Sequence, residues 1–214
     1  MDLEIGNSSK AVIDLSDQKN LLVRQVHEVA EFFGFETRNK YEVLDQNQNL
    51  VAFAAEQQKG FWGWFMRQFL GHWRTFEIHF FDSSRKQFMT AYHPFRFYFQ
   101  RLEISDANNS GLGVIQQRFS IFSKRFDVQN HRGQVILEVA SPLWRIWTFD
   151  FFHNNRVVAS IKKKWSGLFS EAFTDKDNFM IEFSDPSLSN EKKQLILAAA
   201  VFVDLKYFER KARS

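Results

Sequence analysis

Residues Leu195 to Val203 read LILAAAVFV, nine positions without a polar side chain among them. A helix made of these residues has no wet face, so it must be enclosed by protein or by lipid. Nine residues rise about 14 Å, and continuing past Asp204 and Lys206 to Phe208 gives about 21 Å, against about 30 Å of bilayer hydrocarbon. The stretch is too short to span. Asp204 favours enclosure by protein, which can offer a carboxylate a partner more readily than lipid can. Insertion into a membrane is the other reading. Lys206, Arg210, Lys211 and Arg213 complement the dipole at the C-terminal end of this helix, expected over residues 191–210.

The remainder of the chain supplies an enclosure. Five segments share one pattern of aromatic or Leu, acid, apolar residue, polar turn and second apolar run: Tyr41 to Ala55, Phe76 to Ala91, Leu102 to Gln116, Phe126 to Ala140 and Phe149 to Lys163. Alternating apolar residues around Asn, Asp, Gly and Ser clusters predict a β-hairpin in each. The turns DQNQN, DSSRK, DANNSG, NHRG and HNN are read as differing in length. Two further strands are expected over Phe32 to Thr37 and Asn178 to Phe183, and Phe95, Phe97 and Phe99 read as the core face of a strand. Leu21, Leu22, Val26 and Val29 stand at helical spacing and predict a short amphipathic helix over Gln18 to Phe32. The fold class is mainly β: about twelve antiparallel strands closed into a barrel, which removes exposed edges, around the buried apolar C-terminal helix. Residues 1–17 are expected to be flexible and residues 18–214 to form a single domain.

Composition narrows the chemistry. Among 214 residues there are 26 Phe, 6 Trp and 4 Tyr but no Cys, so disulfides, thiolate zinc sites and cysteine nucleophiles are excluded. The six His residues are not in zinc spacing, and there is no HExxH. Gly111-Leu112-Gly113 lacks the third Gly of a dinucleotide fingerprint, Trp165-Ser166-Gly167 lacks the first Gly of a nucleophile elbow, and there is no GK[ST] loop. These readings point away from an enzyme. MDLEIGNSSK has no apolar block after a basic start, so a cytoplasmic chain without a signal peptide is expected. A net charge of +3 makes no case for nucleic acid, and a pI near 9.1 is compatible with attraction to an anionic membrane.

Two stretches carry more than a fold. Phe61 to Arg74 (FWGWFMRQFLGHWR) mixes Trp62, Trp64, Phe65 and Trp73 with Arg67 and Arg74. Rings that bury a face while the indole N–H stays wet, beside guanidinium groups that meet phosphate, suit a water–lipid interface. Packing over the barrel's end or its inner helix uses the same residues equally well. Thr174 to Asp185 (TDKDNFMIEFSD) places Asp175, Asp177 and Asp185 where oxygen ligands could hold calcium. The match is partial: counting from Asp175, the turn-forming Gly at the sixth position is Met180 and the twelfth is Pro186. A turn followed by a strand accounts for the same letters.

The order of GFETRNKYE (residues 34–42), Ala54-Ala55-Glu56, Lys164-Trp165-Ser166-Gly167 and EAFTDKDNF (residues 171–179) resembles the phospholipid scramblase family over residues 20–210. The resemblance implies a Tubby C-terminal-like barrel around a hydrophobic helix. It also implies calcium-stimulated, bidirectional movement of phospholipids between leaflets, at the inner face of the plasma membrane. Asp175 and Asp177 match acidic positions of the family's calcium segment. Its final acidic position falls on Pro186, with Asp185 one residue early. The family's acylated Cys clusters have no Cys here and correspond to residues near 57–73 and 96–101, so Trp62, Trp64, Phe65 and Trp73 are expected to anchor in their place. The alternative is a peripheral, anionic-lipid-binding module of the same fold, with Lys162, Lys163 and Lys164 as candidate basic contacts.

Overall fold

The repeated aromatic–acid–apolar triplet sets the pleat of the wall. In a computed structural model, which describes residues 13–26, 37–57, 75–96, 98–145, 148–163 and 178–208, twelve strands form a closed antiparallel barrel. They are β1 (Asn20–Val26), β2 (Thr37–Leu44), β3 (Leu50–Gln57), β4 (Phe76–Asp82), β5 (Gln87–His93), β6 (Arg101–Asp106), β7 (Gly111–Arg118), β8 (Ser123–Asn130), β9 (Val135–Pro142), β10 (Thr148–His153), β11 (Arg156–Lys163) and β12 (Asn178–Phe183). Each strand pairs with its sequence neighbours, and β1 pairs with β12 to close the ring.

On β2, β4, β6, β8 and β10 the first and third residues of the triplet are buried in the lumen, as with Tyr41 and Val43 or Phe149 and Phe151. Side chains alternate across a strand, so the acid between them faces outward. β12 repeats the motif as Ile181-Glu182-Phe183. Six carboxylates, Glu42, Glu77, Glu103, Asp127, Asp150 and Glu182, thus ring the outside of the wall on every second strand. Glu42 meets Arg24, Glu103 meets Arg101 at 2.8 Å, Asp127 meets Arg118 at 3.2 Å, Asp150 meets Arg145 at 3.5 Å and Glu182 meets Lys162 at 2.6 Å, while Glu77 lies 3.7 Å from the His79 ring. The Arg and Lys side chains of these pairs are 30–56% exposed, while Glu42, Asp127 and Asp150 are more covered; surface pairs stabilise by about 0–1 kcal/mol each.

The five loops differ in length as expected only in that one of them is shorter; the other four hairpin turns are one construction. Asp45, Asp82, Asp106 and Asn130 each donate their N–H to the carbonyl four residues on, and their own carbonyls accept from the residue three on. That third residue, Gln48, Arg85, Asn109 or Gly133, has positive φ, and one apolar residue after it is squeezed out of register. This is the three-residue loop with an adjoining bulge. The bulged residues are Val51, Phe88, Leu112 and Ile136, and all four pack on the core. The fifth hairpin turns on Asn154 and Asn155, both at positive φ, as a two-residue loop requires.

The inner helix α1 (Asn190–Val203) threads this ring, and Lys193 to Val203 are all buried in it. It begins at the end of the barrel carrying the five hairpins and runs toward the opposite end, continuing as a π-helical turn over Asp204–Phe208. Ser189 caps it, accepting from the N–H of Lys192 at 3.3 Å, which satisfies one of its free donors. Asp204 finds the protein partner its burial demands: the Tyr41 hydroxyl donates to it at 2.8 Å.

Three expectations are corrected. Asn20–Val26 is strand β1, not part of a helix: Leu21 and Val23 point into the core, and Leu22 and Val23 pair with β2 on one side and β12 on the other. Without that strand β2 and β12 would be open edges, so closure overrides a helical spacing of four residues. Residues 32–36 of the expected strand lie outside the described residues, and β2 begins at Thr37. Phe95 and Phe99 are not on the core face of a strand; with Tyr98 they are exposed in the connection after β5, because Pro94 ends the ladder and Phe99 takes a left-handed backbone at φ 32°, and Phe97 lies outside the described residues. Finally, Ile13 and Leu15, within the leader expected to be loose, are buried. Asn190 accepts from the Leu15 N–H and donates to the Ile13 carbonyl, both at 2.8 Å. Lys193 donates to the carbonyls of Ser16 and Gln18 and lies 5.1 Å from the centre of the Phe183 ring. Burial lowers its pKa, while Asp17 and Asp14 oppose that shift.

Candidate membrane-contacting site

An up-and-down barrel sorts its connections. All five hairpins lie at one end; the links from β1, β3, β5, β7, β9 and β11 to the strands that follow lie at the other, here termed the loop end. Trp62, Trp64, Phe65, Arg67, Trp73 and Arg74 belong to the link between β3 and β4, and Asp175 and Asp177 to the link between β11 and β12; all eight lie outside the described residues.

Inside the barrel, polarity changes along the axis. Around Leu195 to Val201 the lumen is apolar, whereas toward the loop end polar side chains close on one another. Gln25 donates to Asn39 at 3.0 Å and Asn39 to Glu56 at 2.6 Å. His93 and Gln100 share a hydrogen bond at 2.7 Å, and Gln117 accepts from Lys206 at 3.2 Å. Buried polar groups must be satisfied, and the bond from Lys206 to Gln117 ties the turn after α1 to β7 in this polar layer.

Asn178, the first residue of β12, was not singled out in the sequence. It is buried, and neither its amide oxygen nor its amide nitrogen has a hydrogen-bond partner. Asp185, by contrast, follows β12 at the hairpin end, separated from Asn178 by the length of an extended strand. Its carboxylate accepts from the Ser187 hydroxyl at 2.6 Å and the Ser187 N–H at 2.8 Å, and these two bonds hold its pKa below the ordinary 3.8. A lowered carboxylate pKa favours the folded state above the unfolded pKa, and that contribution disappears as pH falls through the folded value. Replacing Ser187 with Ala is expected to move the Asp185 pKa up toward 3.8 in an NMR titration; an unchanged value would show that the turn does not hold the carboxylate. Among the described residues no group of three or more His, Asp or Glu is placed to hold a metal ion. Lys162 faces outward and donates to Glu182 at 2.6 Å, Lys163 is half-buried, and Lys164 lies outside the described residues, so the Lys run presents no single patch.

The loop end also exposes large side chains that the sequence reading missed: Phe119, Ile121 and Phe122 between β7 and β8, and Trp144 in the 3₁₀ turn Leu143–Arg145 after β9. They join the exposed Phe95, Tyr98 and Phe99. Arg96, Arg125 and Arg145 are exposed beside them.

A family model described as Scramblase matches residues 3–210. The chain belongs to the scramblase family. Phospholipid scramblase 1 of Mus musculus is 31% identical over 214 residues, covering 92% of this chain and 63% of that protein. Phospholipid scramblase 1 of Homo sapiens is 29% identical, covering 91% and 64%. This scramblase-family chain thus spans rather less than two thirds of the length of these relatives. A solved structure of an Arabidopsis thaliana protein shares the fold at a TM-score of 0.50 and 13% identity, covering 90% of this chain and 96% of that one.

Proposed function

We propose that this scramblase-family barrel attaches to the inner face of the plasma membrane and moves phospholipids in both directions between leaflets, stimulated by calcium. The observation that carries the reading is the family match across residues 3–210, which takes in both candidate stretches. Attachment is assigned to Trp62, Trp64, Phe65 and Trp73, with Arg67 and Arg74 reaching anionic headgroups. For calcium, Asp175 and Asp177 supply carboxylate oxygens, and the unpartnered amide oxygen of Asn178, the next residue in sequence, is a third hard donor, the ligand type this cation takes. Asp185, a strand's length away and engaged with Ser187, is not part of that set. No bond is made or broken in the proposed activity.

The wall itself stays out of the hydrocarbon in this reading. A membrane barrel presents an apolar outer band, whereas this one carries six carboxylates outward. No helix among the described residues is long and apolar enough to cross a membrane. A headgroup crossing about 30 Å of hydrocarbon without a polar path costs several kcal/mol or more, so lipid movement requires the bound chain to thin or disorder the bilayer locally, or to assemble on it. The same charged wall favours a second reading, a peripheral module that binds anionic lipid and moves none.

Two measurements test the proposal. Purified protein is expected to sediment with vesicles of phosphatidylcholine and phosphatidylserine, less so in high salt, which screens the headgroup contacts, and to move a reporter phospholipid across them without leakage. Replacing Trp62, Trp64, Phe65 and Trp73 together with Ser is expected to release it; undiminished binding would remove those rings from the account.

A further inference from the structure

We propose that the described rim of the loop end is a bilayer-docking face, so that the barrel stands upright on an anionic phospholipid surface with the C-terminal end of α1 directed at it. The inference rests on the membrane reading above but uses none of the residues assigned there. Tyr98, Phe119, Ile121, Phe122 and Trp144 come from three separate connections and are between 69% and 81% exposed. Isolated apolar residues on a surface need no explanation, but five of this size gathered at one end of a barrel mark a contact surface. The hairpin end carries less: Leu50, Val135 and Val157, where β3, β9 and β11 leave their turns, are 36–49% exposed, and the turns between carry polar Gln46, Asn47, Ser83, Ser84, Asn108 and Arg132.

Charge decides the occupant. The three connections of the described rim, 94–100, 119–122 and 143–147, contain no Asp or Glu, while Arg96 and Arg125 are exposed among or beside them and Arg145, also exposed, is paired with Asp150 at 3.5 Å. A second copy meeting this face symmetrically would set like charges against each other, which a buried contact does not tolerate. An anionic headgroup layer neutralises them while the rings enter the interfacial region, the division of labour expected of Trp, Tyr and Arg at a membrane surface. Upright docking also brings the polar layer around Glu56, Gln117 and Asp204 to the membrane side of the barrel.

The absence of Cys makes the test clean. Single variants Phe122→Cys and Ser84→Cys, each labelled with an environment-sensitive fluorophore, are mixed with sealed vesicles of phosphatidylcholine alone or with phosphatidylserine. The label at 122 is expected to brighten several-fold and shift to the blue with the mixed vesicles, and the label at 84 to stay unchanged. A companion variant, Phe119→Ser with Ile121→Ser, Phe122→Ser and Trp144→Ser, is expected to bind at least about tenfold more weakly with an unchanged melting transition, since every substituted side chain is exposed. A response at 84 rather than 122, no response at either while the protein sediments with vesicles, undiminished binding by the companion variant, or a response at 122 that follows protein concentration without lipid would each overturn the docking face. Binding through the rim without lipid movement would leave it standing and overturn only the transport activity. Failure of the wild-type protein to sediment at all would overturn both.

Discussion

Truncating Phe202 to Ala is expected to destabilise the barrel by about 3–5 kcal/mol, the cost of removing a large aromatic side chain from a core that cannot close around the gap. Phe202 is 1% exposed and packs among three rings from three strands: Phe76 at 6.4 Å, His93 at 5.7 Å and Phe126 edge-on at 6.1 Å. The rings of Phe76 and His93 are themselves stacked at 4.5 Å, so the cavity would be lined by side chains already fixed by their own contacts. Domains have about 5–15 kcal/mol of stability in all, so a large fraction is at stake. The measurement is a urea unfolding curve, in which the midpoint should fall with little change of slope. A loss under about 1 kcal/mol would mean that α1 is not the core of the barrel and would reopen a membrane role for it.

Gly113→Val carries the second large effect. A side chain added at Gly113 would run into the carbonyl oxygen of Gln129 on the neighbouring strand and come within 3.1 Å of both methyl groups of Leu195 on α1. The first obstacle is backbone that cannot turn aside, so β7 and β8 must separate or the helix must shift. Overpacking of this kind costs about 1–3 kcal/mol in a compliant core and more where the obstacle is rigid; a loss of about 3 kcal/mol or more is expected. Two residues away, Gly111 has open space around its Cβ position, and Gly111→Ala should be neutral or stabilising by up to about 1 kcal/mol through strand propensity. Equal losses at both sites would contradict the close approach of α1 to β7.

The architecture was legible because two patterns agreed. Five triplets with turn clusters implied ten strands, NFMIEF gave another, and an all-apolar segment too short to cross a bilayer needed a container about as wide as those strands make. The missing strand was hidden by Leu21, Leu22, Val26 and Val29, whose spacing satisfies a helix; the demand of β2 and β12 for a partner is a property of the closed ring and is invisible locally. FRFYFQ misled for the converse reason: its letters alternate like a strand, yet Phe95, Tyr98 and Phe99 are exposed in a connection. The docking face was illegible in principle: Tyr98, Phe122 and Trp144 are far apart in the chain, and only closure of the barrel puts them at one end. The unpartnered amide of Asn178 could not be seen either, since an Asn at the start of a strand is ordinarily satisfied by its neighbours.

The most direct test of the functional account is movement of a reporter phospholipid across sealed vesicles of phosphatidylcholine and phosphatidylserine by the purified protein, with and without calcium. A soluble reporter trapped inside serves as the leakage control. Movement without leakage is expected, faster with calcium, with the calcium response abolished by Asp175→Ala with Asp177→Ala. Binding to the vesicles with no movement in either condition would contradict it and leave a lipid-binding barrel of the scramblase family.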